Sequence, residues 1–74
     1  NAKLQNANFK GSSFQDARFE NTDLSFADLQ NTNIQIMNFE NANLQNANLR
    51  SSSFQDAYFK GADLSFTDLQ NTIL

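Results

Sequence analysis

The 74-residue sequence predicts a solenoid, and three observations carry that prediction. First, every fifth residue is Leu, Ile or Phe without a break: Leu4, Phe9, Phe14, Phe19, Leu24, Leu29, Ile34, Phe39, Leu44, Leu49, Phe54, Phe59, Leu64, Leu69 and Leu74. Second, the residue two places before each of these centres is Ala, Ser or Thr, with Met37 as the one exception. Third, residues 5–34 share twenty of thirty identities with residues 45–74, whereas residues 5–24 share six of twenty with 25–44. A period of five fits neither a helix, at about 3.6 residues per turn, nor a strand, at two. It fits a stack of repeats in which each unit buries its apolar residue only against its neighbours.

Composition narrows the function. Five basic and eight acidic residues give a net charge of −3. Lys3, Lys10, Arg18, Arg50 and Lys60 are scattered, so direct nucleic-acid binding, which demands clustered cations, is not expected. The sequence has no Cys and no His, which removes disulfides, thiolate metal sites, the cysteine nucleophile and the commonest acid–base catalyst. No apolar run is long enough for a membrane span or a signal peptide. Twelve Asn and seven Gln would suit a disordered tract on composition alone. Such tracts do not hold fifteen apolar residues in strict register.

The five-residue unit reads small–Asx–Leu/Phe–polar–polar, as in Ala7-Asn8-Phe9-Lys10-Gly11, Ala27-Asp28-Leu29-Gln30-Asn31 and Ala62-Asp63-Leu64-Ser65-Phe66. Over its whole length the chain resembles the pentapeptide-repeat family. The resemblance implies an all-β fold, a right-handed quadrilateral β-helix with one pentad per side and four per coil. Residues 1–74 then form a single domain of about 3.7 coils, at twenty residues each. The forty-residue duplication favours a four-sided coil over a three-sided one, because forty is two coils of twenty and no whole number of fifteens.

Each position of the unit follows from that geometry. The centres point inward and sort into columns: Leu4, Leu24, Leu44 and Leu64; Phe19, Phe39 and Phe59; and a mixed set of Phe14, Ile34, Phe54 and Leu74. The small residues also face the tight interior. The other three positions are expected to face solvent, and most are Asn, Asp, Gln, Ser, Lys, Glu or Gly. Thr22, Thr32, Thr67 and Thr72 fall on inward positions, which argues against an ice-binding Thr array. Gln15, Gln35 and Gln55 are expected to form a surface amide ladder. Ile36 and Met37 mark an irregular pentad where a bulged side or simple drift are both open. No capping helix is visible, so the chain is expected to belong to a longer array or to associate end to end with a copy of itself.

Two sets of residues are candidates for a partner-binding site. Asp23, Asp28, Asp63 and Asp68 all precede a centre and recur two coils apart, with Asn43 and Asn48 in the equivalent places between them. They could form an acidic strip for a basic partner, or simply be the ordinary Asx of the repeat. Phe26 and Phe66 stand in a polar position whose column otherwise reads Asn6 and Asn46, both within Asp-Leu-Ser-Phe-Ala/Thr-Asp-Leu. They are expected to project from one edge about 10 Å apart, two strand spacings. They could be aromatic anchors for a partner, rings tucked over their own coil, or one tolerated residue copied by the duplication. No catalytic, cofactor-binding or metal-binding residues are expected, and no motif for any of them occurs.

The expected function is a non-enzymatic scaffold or protein-interaction module of the bacterial cytoplasm. The resemblance offers an alternative, since some family members mimic DNA and bind DNA gyrase or topoisomerase IV, conferring fluoroquinolone resistance. Those members carry a C-terminal dimerising helix and interrupting loops, and neither pattern is present in this sequence.

Overall fold

The computed structural model describes residues 2–14, 18–34 and 37–72. Ten parallel bridges tie each described side to the residue twenty places on, from Lys3↔Asp23 and Asn8↔Asp28 to Asn43↔Asp63 and Asn48↔Asp68. With a corner every five residues, a register of twenty makes a four-sided coil. The side after Asn33 pairs with Ser53 and the side after Asn38 with Tyr58, so all four faces are bridged. The described residues include no helix.

One pentad shows why the unit has five residues and why its second is Asx. The Thr22 N–H closes a turn on the Phe19 carbonyl at 3.2 Å. Asp23 donates to the Ala2 carbonyl of the preceding coil at 3.0 Å, and Leu24 donates to the Asn43 carbonyl of the next at 2.7 Å. Phe26 donates to Gln45 of that same next coil at 2.9 Å. The remaining N–H, that of Ser25, is met by the Asp23 side chain, Oδ1 at 3.0 Å. All five donors are therefore bonded, one of them by the Asx carboxylate, as a tightly wound backbone requires. The same bond recurs from Asn8, Asp28, Asn38, Asn43, Asn48, Asp63 and Asp68 to the N–H two residues on, at 2.9–3.1 Å.

This corrects the expectation that the Asx side chain merely faces solvent. Asn43 and Asn48 are half-buried and hydrogen-bonded to their own corner. The short Asx side chain reaches its own backbone two residues on, which is why Asn and Asp favour such turns.

Every described corner turns through the left-handed region. The second residue after each centre has φ between 57° and 75°, from Asn21 to Gly11. A bond from residue i+3 back to the carbonyl of i, with positive φ at i+2, is the geometry of a type II turn. Asn or Gly fills eight of these corners (Asn6, Gly11, Asn21, Asn31, Asn41, Asn46, Gly61 and Asn71) because they tolerate that conformation best.

The lumen is filled by the centres. Leu24, Leu29, Ile34, Phe39, Leu44 and Leu49 are fully buried, with Ala27, Ala42 and Ala47 beside them. Phe39 stacks on Phe19 at 5.5 Å and on Phe59 at 5.0 Å, with rings tilted by 14° and 4°. In the first coil Phe9, Phe14 and Phe19 meet edge to face at 5.3–6.3 Å. Met37 is buried and keeps both its turn bond to Ile34 and its ladder bond from Tyr58, so the ladder runs through it without a bulge. Ile36, Gln15, Gln35 and Leu74 lie outside the described residues.

One inner column is polar. Thr32 and Ser52 are buried, and both hydroxyls donate to the Leu29 carbonyl, at 2.7 and 2.6 Å. The Thr32 N–H reaches Ser52 Oγ at 3.3 Å. Each buried polar atom in this group has a partner, as burial demands. Thr22 is also buried, while Thr67 and Thr72 turn their hydroxyls back onto the Leu64 and Leu69 carbonyls at 2.9 Å.

Candidate interaction surface at the aromatic corner

The corner that follows Leu4, Leu24, Leu44 and Leu64 carries Asn6, Phe26, Asn46 and Phe66 in successive coils. Phe26 and Phe66 both have φ of 61°, in the same left-handed conformation as Asn6 at 63° and Asn46 at 60°. A bulky residue there is strained by about 1–2 kcal/mol, because its Cβ crowds the following carbonyl. Neither ring recovers this by tucking against the protein. Phe26 is 60% exposed and Phe66 86%. The structure thus decides against the tucked arrangement and leaves two rings standing off one edge, two ladder steps apart.

The four aspartates flank these rings on both sides. Asp23 and Asp28 bracket Phe26, and Asp63 and Asp68 bracket Phe66. Each accepts its own corner N–H on Oδ1, so the corner itself uses one oxygen of the carboxylate. Asn does the same work at 43 and 48. Asp in place of Asn therefore adds negative charge without changing the corner. Among the positions directly before a centre, Asp occurs at these four and nowhere else, so the carboxylates accompany the aromatic corners.

Local bonds favour the ionised form of Asp23 and Asp63. The Ser25 backbone N–H keeps the Asp23 carboxyl below its ordinary range. At Asp63 the Ser65 hydroxyl and backbone N–H do the same, helped by the Gln45 amide. Both folded values are depressed, so the stability these bonds contribute is present above the ordinary carboxylate value of about 4 and fades as pH falls through the lower folded value. Arg50 approaches Asp68 at 3.7 Å from the neighbouring corner. On another face the Arg18 side chain holds Glu20 below its ordinary range at 2.8 Å.

Among the described residues no group of three or more acidic side chains is placed to hold a metal. No helix among them is long and apolar enough to cross a membrane. The sequence singles out the same six residues as candidates but does not show the backbone conformation beneath Phe26 and Phe66. The signal was available, since Asn or Gly stands at eight of the twelve described corners and Phe does not suit that conformation.

A coil of four five-residue sides, Asx-bonded corners and left-handed turns define a β-solenoid of pentapeptide repeats. The family described as pentapeptide repeat region matches residues 1–69, and the chain belongs to it. Members fold as right-handed quadrilateral β-helices and are typically non-catalytic. Three solved pentapeptide-repeat proteins are similar to it. Rfr23 from the cyanobacterium Cyanothece is 32% identical over 97% of this chain and 56% of its own, with a TM-score of 0.49. A protein from the Arabidopsis thaliana thylakoid lumen is 33% identical over 89% and 50%, with a TM-score of 0.43. HetL from the cyanobacterium Nostoc, involved in heterocyst differentiation regulation, is 21% identical over 97% and 38%, with a TM-score of 0.50. The chain thus spans about half or less of the length of these proteins. No curated protein sequence matches it.

Proposed function

We propose that the chain is a non-enzymatic protein-binding scaffold of the bacterial cytoplasm, and that it contacts its partner through the ridge of Phe26 and Phe66 with Asp23, Asp28, Asp63 and Asp68 at its sides. The observation that carries this reading is the pair of exposed rings held in a strained conformation. Strain that the fold does not need, on exposed rings flanked by charge, points to a use outside the fold. Aromatic side chains, Phe included, are enriched at the cores of protein interfaces.

DNA mimicry is the weaker reading on charge density. A duplex carries about one negative charge per 1.7 Å of axis, so about ten over the roughly 18 Å that 3.7 coils span at strand spacing. The chain offers eight acidic side chains against five basic ones, a net charge of −3.

Site-specific photo-crosslinking in cells tests the proposal. A photoreactive phenylalanine at position 66 is expected to yield a discrete protein adduct, identified by mass spectrometry, and the same probe at Asn41 to yield none. Equal adducts at both corners, or none at 66, would remove the ridge as the interaction surface. Inhibition of gyrase supercoiling by the chain, lost when the four aspartates become Asn, would favour mimicry instead.

A further inference from the structure

We infer that the ridge recognises arginine, and that it takes two arginines at once from an extended partner segment carrying them at positions i and i+3. This rests on the reading of the ridge as the interaction surface and specifies the chemistry it selects.

Charge complementarity comes first. Each ring is bracketed by two carboxylates, one on either adjoining face, and Oδ1 of each holds its corner. Oδ2 of Asp28, Asp63 and Asp68 meets Gln30, Gln45 and Arg50, contacts that an incoming guanidinium displaces or shares. A second copy of this chain would bring four more aspartates against these and is disfavoured. A cation is favoured, and a planar one most. Guanidinium stacks on an aromatic face and donates from its edge to carboxylates beside it, which an ammonium cannot do at once. Arg50, already 3.7 Å from Asp68, shows that a guanidinium can reach the edge of this row.

Spacing comes second. Phe26 and Phe66 lie two ladder steps apart, about 9.6 Å at the spacing of paired strands. In a polyproline II segment, residues i and i+3 share a face at about 9.3 Å. In a β-strand, same-face residues fall at about 6.7 and 13 Å and miss it. A helix offers about 10.5 Å at i and i+7. Yet helices dock into grooves, and this site is a convex corner.

Titration of the 74-residue chain with labelled proline-framed peptides decides the matter. The peptide with Arg at i and i+3 is expected to bind more tightly than those with adjacent arginines or with Lys at i and i+3. The F26N/F66N variant, which restores the Asn of the same column, should weaken it about 5- to 25-fold, the loss of two exposed cation–π contacts. Replacing Asp23, Asp28, Asp63 and Asp68 by Asn keeps every corner bond, and should weaken binding and flatten its salt dependence. Equal binding of the adjacent-arginine peptide, or unchanged affinity in F26N/F66N, would reduce the effect to bulk charge and overturn the inference. Tighter binding of a helical peptide with Arg at i and i+7 would overturn the extended segment. If none of the peptides binds, arginine recognition falls, while crosslinking at position 66 still judges the ridge on its own.

Discussion

Phenylalanine occurs eight times in the chain, six times in the lumen and twice on one corner, and the two settings follow opposite rules. Phe39 is 1% exposed, stacked between Phe19 and Phe59. Its backbone is ordinary and its ring does the work. Phe66 is 86% exposed, on a backbone whose φ of 61° suits Asn or Gly. Its ring adds nothing to the core and its backbone is strained. The difference teaches that the lumen selects for volume and the corner for conformation. Neither packing nor corner conformation therefore accounts for Phe66.

The sharpest way to break this comparison is to remove both rings. Phe39→Ala should destabilise by about 3–5 kcal/mol, by opening a cavity between two stacked neighbours. Phe66→Ala should move stability by less than about 0.5 kcal/mol, as surface changes usually do. Overpacking the same lumen with Ala42→Leu should cost about 1–3 kcal/mol, because Ala42 is fully buried. Urea unfolding midpoints would measure all three. Comparable losses at 39 and 66 would mean that the corner rings do pack, and the functional reading would lose its basis.

The corners supply the next test, between two glycines with the same backbone. Gly11 has φ of 75° with open space around an added Cβ, and Gly61 has φ of 74° with the Asn41 side chain in the way. Gly11→Ala should cost about 1–2 kcal/mol through the left-handed conformation alone. Gly61→Ala should cost more, by whatever displacing the Asn41 amide requires. Equal losses would mean that the Asn41 side chain yields freely.

Much of this organisation was legible in the sequence, and the reasons differ by position. The centres were readable because a period of five leaves no other way to bury Leu4 through Leu69. The twenty-residue register was implied by the family resemblance, and the duplication at forty favoured four sides over three. What escaped was the bonding of Asn43 and its equivalents. A polar residue between two inward ones reads as solvent-facing, whereas its Oδ1 is turned back onto the Gln45 N–H at 3.0 Å. The polar inner column escaped too, since Thr32 and Ser52 read only as small. At Phe26 and Phe66 the sequence flagged the departure but not its conformational cost, because φ is a property of the corner and not of the ring.

Asn43 turns that lesson into a smaller prediction. The solvent-facing reading expects Asn43→Ala to cost under about 0.5 kcal/mol. The corner bond raises the expected cost to about 1 kcal/mol, the usual net value of such a bond. Asn43→Asp keeps the acceptor and should be close to neutral once salt screens the Asp23 and Asp63 carboxylates, which lie one ladder step to either side. If Ala and Asp at 43 cost the same, the side-chain bond contributes nothing and the five-donor account of the pentad fails at its fifth member.

The smallest expected effect runs in the opposite direction from the rest. Phe66→Asn should stabilise the protein, by about 0.5–1 kcal/mol, because Asn relieves part of the left-handed strain and no packing is lost. The column makes the substitution conservative for the fold, since Asn46 holds the same conformation one coil away, with its N–H on the Ser65 carbonyl at 3.0 Å. The sign matters more than the size. Natural residues that lower stability without an evident structural return cluster where a surface is used. A gain on Phe66→Asn, together with loss of the adduct at that corner, would separate folding from function at one residue. A loss of stability would place the ring back among the structural phenylalanines, and the contrast with Phe39 would be one of degree.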